Sequence, residues 1–128
     1  MATTNSEVFI ERDADEVWKV FGDFQGIKTW FPGLAAVRCE GDTRYIEMGP
    51  GVEVTETLVT RDDTARTLSY TVAADVLPTT KYVTTISVRA GDTGCTAAMS
   101  AEVEPDDVAP MIQGVYDNAV KGLATHFA

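Results

Sequence analysis

Three residues of types that do acid–base chemistry fall at spacings that could bring them together: Arg44, Glu56 and Tyr70. A carboxylate among tyrosines in apolar surroundings can act as a general base, because burial raises its pKa. A neighbouring arginine pulls that pKa down, and it can also orient a carbonyl or hold an enolate as a preorganised donor. Turn lengths decide whether the three meet. If Gly41-Asp42 is a two-residue hairpin, Cys39 faces Arg44 and Val37 faces Ile46. If Gly49-Pro50-Gly51 is a three-residue loop, Met48 pairs with Val52, Ile46 with Val54 and Arg44 with Glu56. Across the next loop Leu58 then faces Leu68, and Glu56 faces Tyr70. Arg44, Glu56 and Tyr70 become a transverse polar row on an otherwise apolar face, and Tyr82 and Thr84 extend it. Buried charges are costly unless paired, so Arg44 and Glu56 should pair. The row reads either as a structural ion pair that fixes register or as the polar end of a site for a mostly apolar ligand. A one-residue slip would turn it to solvent.

Other candidates carry weaker signals. Trp30 and Phe31 precede Pro32-Gly33 and suit either a pocket rim or plain core. Tyr116 falls on the apolar stripe of the last helical segment with a polar tip to offer a ligand, whereas Trp18 reads as core. His126 is the only histidine, near the chain end, and reads as bland. With one histidine and no Cys-x-x-Cys, no metal site is expected. Gly49-Pro50-Gly51 is a turn and not a phosphate loop, since no strand-to-helix junction with a lysine follows. No nucleophile-elbow motif is present, and no cofactor is expected.

These side chains need elements to hold them. Residues 6–11 alternate as a first strand. Asp13 offers an N-cap oxygen, with Glu16 in the capping-box position. Val17, Val20, Phe21 and Phe24 follow at helical spacing, so a helix is expected over about 14–23 and a second, shorter one over about 27–31, stopped by Pro32. Six strands are expected at about 35–40, 43–48, 52–61, 66–74, 80–89 and 94–104, separated by Gly-, Pro- and Asp-rich breaks. Short turns between consecutive strands imply antiparallel neighbours. From about 107 to 127 the period returns to 3.6, with Val108, Ile112, Val115, Tyr116, Ala119, Leu123, His126 and Phe127 on one stripe and Gln113, Asp117 and Lys121 opposite. One helix cannot fill the hollow of a large curved sheet, so a cavity between them is expected.

Composition sets bounds. The 128 residues suit one domain over 1–128 that needs no disulfide or metal staple. Cys39 and Cys95 read as inward strand residues, with a disulfide disfavoured. A net charge of −10 argues against nucleic acid and anionic membrane surfaces. The N-terminus shows no signal-peptide pattern, and no apolar run approaches the ~20 residues of a membrane span, so a cytoplasmic protein without membrane insertion is expected.

Several segments together resemble the START-like, or SRPBCC (Bet v 1-like), superfamily. Val-Phe-Ile-Glu-Arg-Asp-Ala-Asp-Glu-Val-Trp (8–18) is similar to its first strand and helix. Trp30-Phe31-Pro32-Gly33, Asp62-Asp63 with Leu68-Ser69-Tyr70, Leu77-Pro78 with Tyr82, and Val115-Tyr116 followed by Leu123 resemble its polyketide cyclase/dehydrase branch. The resemblance implies an α+β helix-grip fold: a seven-stranded curved antiparallel sheet wrapped around a long C-terminal helix, with two short helices between the first two strands. It also implies a cavity for hydrophobic ligands, with Arg44, Glu56, Tyr70 and Tyr82 where many relatives carry similar residues. Many relatives place a tryptophan where this chain has Met99, so a reshaped pocket is expected there.

The partner expected is a hydrophobic or aromatic small molecule, with Trp30, Phe31, Tyr82, Thr84, Met99 and Tyr116 contacting it. Glu56, Arg44 and Tyr70 are the catalytic candidates if the chain turns it over by cyclisation or dehydration. A non-catalytic carrier and a protein-interaction module are the alternatives, and homodimer formation stays open.

Overall fold

The computed structural model describes residues 2–128. Its elements are β1 (Ala2–Ile10), α1 (Ala14–Phe21), a 3₁₀ segment (Phe24–Thr29), β2 (Ala36–Glu40), β3 (Thr43–Gly49), β4 (Val52–Asp62), β5 (Thr67–Ala74), β6 (Lys81–Ala90) and β7 (Cys95–Glu104). A 3₁₀ turn at Asp106–Val108 leads into α2 (Ala109–His126). The strands form one antiparallel sheet in the order β1-β7-β6-β5-β4-β3-β2. This is the helix-grip arrangement, with α1 and the first 3₁₀ segment standing between β1 and β2.

Local chemistry explains the helix starts. The Asp13 side chain accepts from the Asp15 N–H and so satisfies one of the free donors at the start of α1. Glu16 pairs with Arg12 at 3.0 Å. Val17, Trp18 and Phe21 are buried, as their spacing requires. In α2, Pro110 sits in the first turn, where its missing N–H costs nothing.

The sheet keeps its faces through two irregularities. The β3–β4 ladder shifts between Glu47 and Gly49, leaving Met48 as the extra residue, so Gly49 and not Met48 lies opposite Val52. The β4–β5 ladder shifts between Leu58 and Thr60 around Val59. Leu58 therefore pairs with Tyr70, and Glu56 with Val72, a two-residue offset from the expected register. Because side chains alternate with period two, a two-residue offset leaves the side chains up to Leu58 on their expected faces, and beyond the shift Thr60 turns outward opposite Ser69 while Arg61 comes opposite the buried Leu68. Without the extra Val59 the hairpin that pairs Asp62 with Thr67 would set Leu58 against Thr71, an outward residue. The bulge restores the match between the inward sets of the two strands.

The stripe on α2 also shifts. Ile112, Tyr116, Ala119, Val120 and Leu123 are buried, whereas His126 is exposed. Gln113 and Asp117 are half-buried and tie the helix to β1. Gln113 Nε2 donates to the Asn5 carbonyl at 2.8 Å, and the Ser6 hydroxyl donates to Asp117 at 2.6 Å. The helix packs chiefly on β1 and β7. Small buried residues (Ala97 and Ala101 on β7, Ala119 on α2) permit that close approach. Cys95 is buried, Cys39 is half-buried, and both are free thiols. Among the described residues no helix is long and apolar enough to cross a membrane.

Candidate ligand cavity and its polar wall

Arg44 on β3 lies directly opposite Glu56 on β4, both on the concave face and both buried. The Arg44 Nε donates to Glu56 Oε1 at 2.7 Å, and Nη2 lies 2.6 Å from the same oxygen. Nη1 donates to the Phe24 carbonyl at 2.6 Å. The guanidinium carbon sits 3.9 Å from the Phe24 ring centroid and 4.7 Å from that of Tyr70. Arg44 is thus held by a carboxylate, a carbonyl and two aromatic rings. It positions Glu56 and leaves Oε2 free of its grip.

Burial raises the Glu56 pKa above the ordinary carboxyl value, and the attraction and hydrogen bond of Arg44 only partly offset it. Desolvation wins the contest left open by the sequence. Three tyrosines stand near. The Tyr116 hydroxyl is 2.7 Å from that of Tyr82 and 2.7 Å from Thr84 Oγ1. Burial pushes the Tyr82 phenol up to about 12, against the opposing hydrogen bond of Tyr116. Burial also raises Tyr70 and Tyr116 well above the usual phenol range. These hydroxyls keep their protons, and the chain of Tyr82, Tyr116 and Thr84 can donate or accept without carrying charge.

A cavity of about 100 Å³ opens between the inner face of β3–β5 and the first half of α2. Ile46, Val54 and Val72 floor it, Met111, Ile112 and Val115 roof it, and Phe31 and Leu34 close one side. Among the described residues its polar side chains are Glu56, Tyr82 and Tyr116. A larger depression of about 610 Å³ lies on the outer face around β5 and β6, open to solvent and with mixed polarity. The smaller cavity is the better candidate for an apolar ligand, since it is almost wholly apolar and holds its polar groups at one spot.

The structure sorts the expected site residues into layers. Glu56, Phe31, Tyr82 and Tyr116 are on the cavity wall. Arg44, Tyr70 and Thr84 are buried beside those residues but off the wall. Trp30 packs edge-on against Phe21 with centroids 5.0 Å apart, and Met99 lies opposite Ile86 on β6 and Ser6 on β1. Neither touches the cavity, so the pocket reshaping expected from Met99 is displaced: that side chain fills the part of the core that α2 covers. Sequence reasoning put Ile46, Val54, Val72, Ile112 and Val115 on inward faces without assigning them to the site. It missed Leu34 and Leu77, which lie in loops where no periodicity signals orientation, and Met111, which stands in the first turn of α2 beside the apolar stripe and is exposed. Among the described residues no group of metal-ligating side chains is close enough to hold an ion.

A family model described as polyketide cyclase/dehydrase and lipid transport matches residues 1–128. No curated protein matches the sequence. Among solved structures, a Thermobifida fusca protein is 29% identical with a TM-score of 0.86, covering 99% of this chain and 93% of that one. The protein XoxI from Bacillus cereus is 24% identical with a TM-score of 0.91, covering 99% and 96%. A truncated norcoclaurine synthase from Thalictrum flavum is 20% identical with a TM-score of 0.78, covering 97% and 91%. At the last two identities the likeness is one of fold.

Proposed function

The chain belongs to the polyketide cyclase/dehydrase and lipid transport family, and from that premise we propose that it binds an apolar or aromatic small molecule in the cavity between β3–β5 and α2. The observation that carries this reading is the contrast within one wall: ten apolar side chains surround a single polar spot made by Glu56, Tyr82 and Tyr116. Such a wall takes an apolar body and fixes it by one carbonyl or hydroxyl group. The volume limits the body. An apolar cavity of roughly 150 Å³ accepts benzene, so about 100 Å³ holds a small ring or a short chain segment. A larger, polyketide-like ligand enters by displacing the mouth, where Met48, Met111 and Val115 are exposed. Two of the three are methionines, whose unbranched side chains repack readily.

One observation favours turnover over carriage alone. Among the described residues Glu56 is the one carboxyl group on the wall, its pKa is raised, and Arg44 fixes one of its oxygens. A carboxyl held this way can pass a proton to or from a bound carbonyl compound, as cyclisation and dehydration both require. Tyr82 and Tyr116 stay protonated and can donate to the developing oxyanion.

Native mass spectrometry of the freshly purified protein, with identification of any co-purifying molecule, tests the binding. A bound apolar or aromatic compound supplies the substrate to assay, whereas a clean apo mass and no thermal shift with a panel of such compounds would sink the reading. With that compound, Glu56→Gln should lower turnover about 10²-fold or more while changing affinity little. Unchanged turnover would leave a carrier.

A further inference from the structure

The ladder between β5 and β6 stops short. It pairs Thr67 with Ser87 at one end and Thr71 with Val83 at the other. Yet β5 keeps its β4 partners as far as Ala74, and β6 has β7 partners from Lys81 onward. The next rung, Val72 opposite Tyr82, is not made, and the two strands splay apart from that point. The segment 75–80 spans the opening. The Leu77 N–H donates to the Ala74 carbonyl at 3.0 Å, and that of Thr79 donates to the Leu77 carbonyl at 2.8 Å.

The depression of about 610 Å³ occupies this opening on the outer face. It shares Val72, Leu77 and Tyr82 with the internal cavity, so one layer of side chains separates the two spaces. Their walls differ in kind. The cavity is apolar, whereas the opening presents the hydroxyls of Thr55, Thr71 and Thr79 and the carboxylates of Glu53 and Asp75. Lys81, the cation among the described residues of this wall, pairs with Glu102 at 3.1 Å. Among the described residues neither Glu53 nor Asp75 belongs to an ion pair. Carboxylates accept and do not donate, so this wall is matched by a group rich in N–H or O–H donors.

We propose that the β5–β6 opening is a second binding site, which takes a donor-rich head, glycosyl or ammonium, of a ligand whose apolar body lies in the cavity. Leu77 and Tyr82 form the sill between the two halves, and the ligand crosses where the missing rung would have closed the sheet. The inference rests on the cavity reading above. An anionic head is disfavoured, because Glu53 and Asp75 repel it in a protein whose net charge is −10.

Calorimetric titration with two probe pairs tests this: phenyl β-D-glucoside against phenol, and 4-phenylbutylamine against 4-phenylbutyrate. At least one headed probe should bind about tenfold or more tightly than its partner, and which one does so separates a glycosyl from an ammonium head. Ala73→Trp, at an exposed position on the opening's wall, should abolish that gain while leaving phenol binding unchanged. The surface pair Glu53→Gln with Asp75→Asn should reduce it and serves if the tryptophan perturbs folding. If phenol binds and neither head adds affinity, or if the gain survives in folded Ala73→Trp, this inference fails and the cavity reading stands. If no probe binds, both fall.

Discussion

The concave face of the sheet has a sealed half and an open half. Over β1 and β7, α2 lies close, and the inward residues are small or tightly packed: Ser6, Ala97, Met99, Ala101 and Val103 are all nearly inaccessible. Over β3–β5 the helix stands off, and the space between holds a cavity and an ion pair, with the hydroxyls of Tyr82 on β6 and Tyr116 on α2 at its side. The two halves belong to one sheet with one alternation pattern. What separates them is side-chain size on β7 and α2, which lets the helix approach one edge and so lifts it from the other. Burial alone therefore does not define the site. Met99 and Glu56 are both buried, yet only Glu56 faces space that a ligand can enter.

The most severe way to break the open half is to remove Arg44. Arg44→Met leaves Glu56 buried without its partner and should cost about 3–5 kcal/mol at neutral pH, read by urea denaturation. The pH dependence identifies the cause. Folded Glu56 has a pKa above 4.5, so it binds its proton more tightly than in the unfolded chain. Its contribution to stability is full below that ordinary value and is lost as pH rises through the raised one. Without Arg44 the folded pKa rises further, so the penalty of the substitution should be smaller at about pH 5 than at about pH 8. An equal penalty at both would show that lost packing on Phe24 and Tyr70, not charge, carries the effect.

Two methionines compare the halves directly. Met99 is 1% exposed on the sealed side, and Met111 is 53% exposed at the cavity mouth. Met99→Ala should cost about 2–5 kcal/mol, and Met111→Ala less than about 0.5 kcal/mol, in thermal melts. Met111→Ala should instead change affinity for an apolar ligand. Equal stability losses would contradict the division of the face into two halves.

How much of this could be read from the sequence follows the same line. The antiparallel pairing of consecutive strands was legible from the short turns and the inward set from the period-two alternation of β3–β7, whereas nothing in the sequence signalled that β1 pairs with β7. Glu56, Arg44 and Tyr70 were placed on the right face for that reason, although Tyr70 proved to sit opposite Leu58 and not Glu56. The bulge at Val59 was not legible, since no Gly or Pro marks it, and the one at Met48 was hidden because the Gly49-Pro50-Gly51 beside it reads as the turn itself. The reach of α2 was not legible either: which half a helix covers depends on the fit of facing side chains, not on its own stripe. That is why Met99 and Trp30 could be known as inward but not as remote from the cavity.

Two glycines on α2 test that fit most finely. Alanine in a helix interior is favoured over glycine by about 1 kcal/mol, so propensity alone makes both Gly114→Ala and Gly122→Ala stabilising. At Gly114 a Cβ would meet nothing within 4 Å, and the substitution should stabilise by about 0.5–1 kcal/mol in urea denaturation. At Gly122 it would lie 2.7 Å from the Trp30 carbonyl oxygen and 2.7 Å from Pro32 Cδ. A backbone carbonyl cannot swing aside as a side chain can, so the clash should outweigh propensity and leave a net loss of about 1–2 kcal/mol. The segment that would have to yield also carries Phe31, on the cavity wall. If Gly122→Ala proved stabilising, that segment would move freely at little cost, and Phe31 would act as a movable part of the cavity mouth and not as fixed wall.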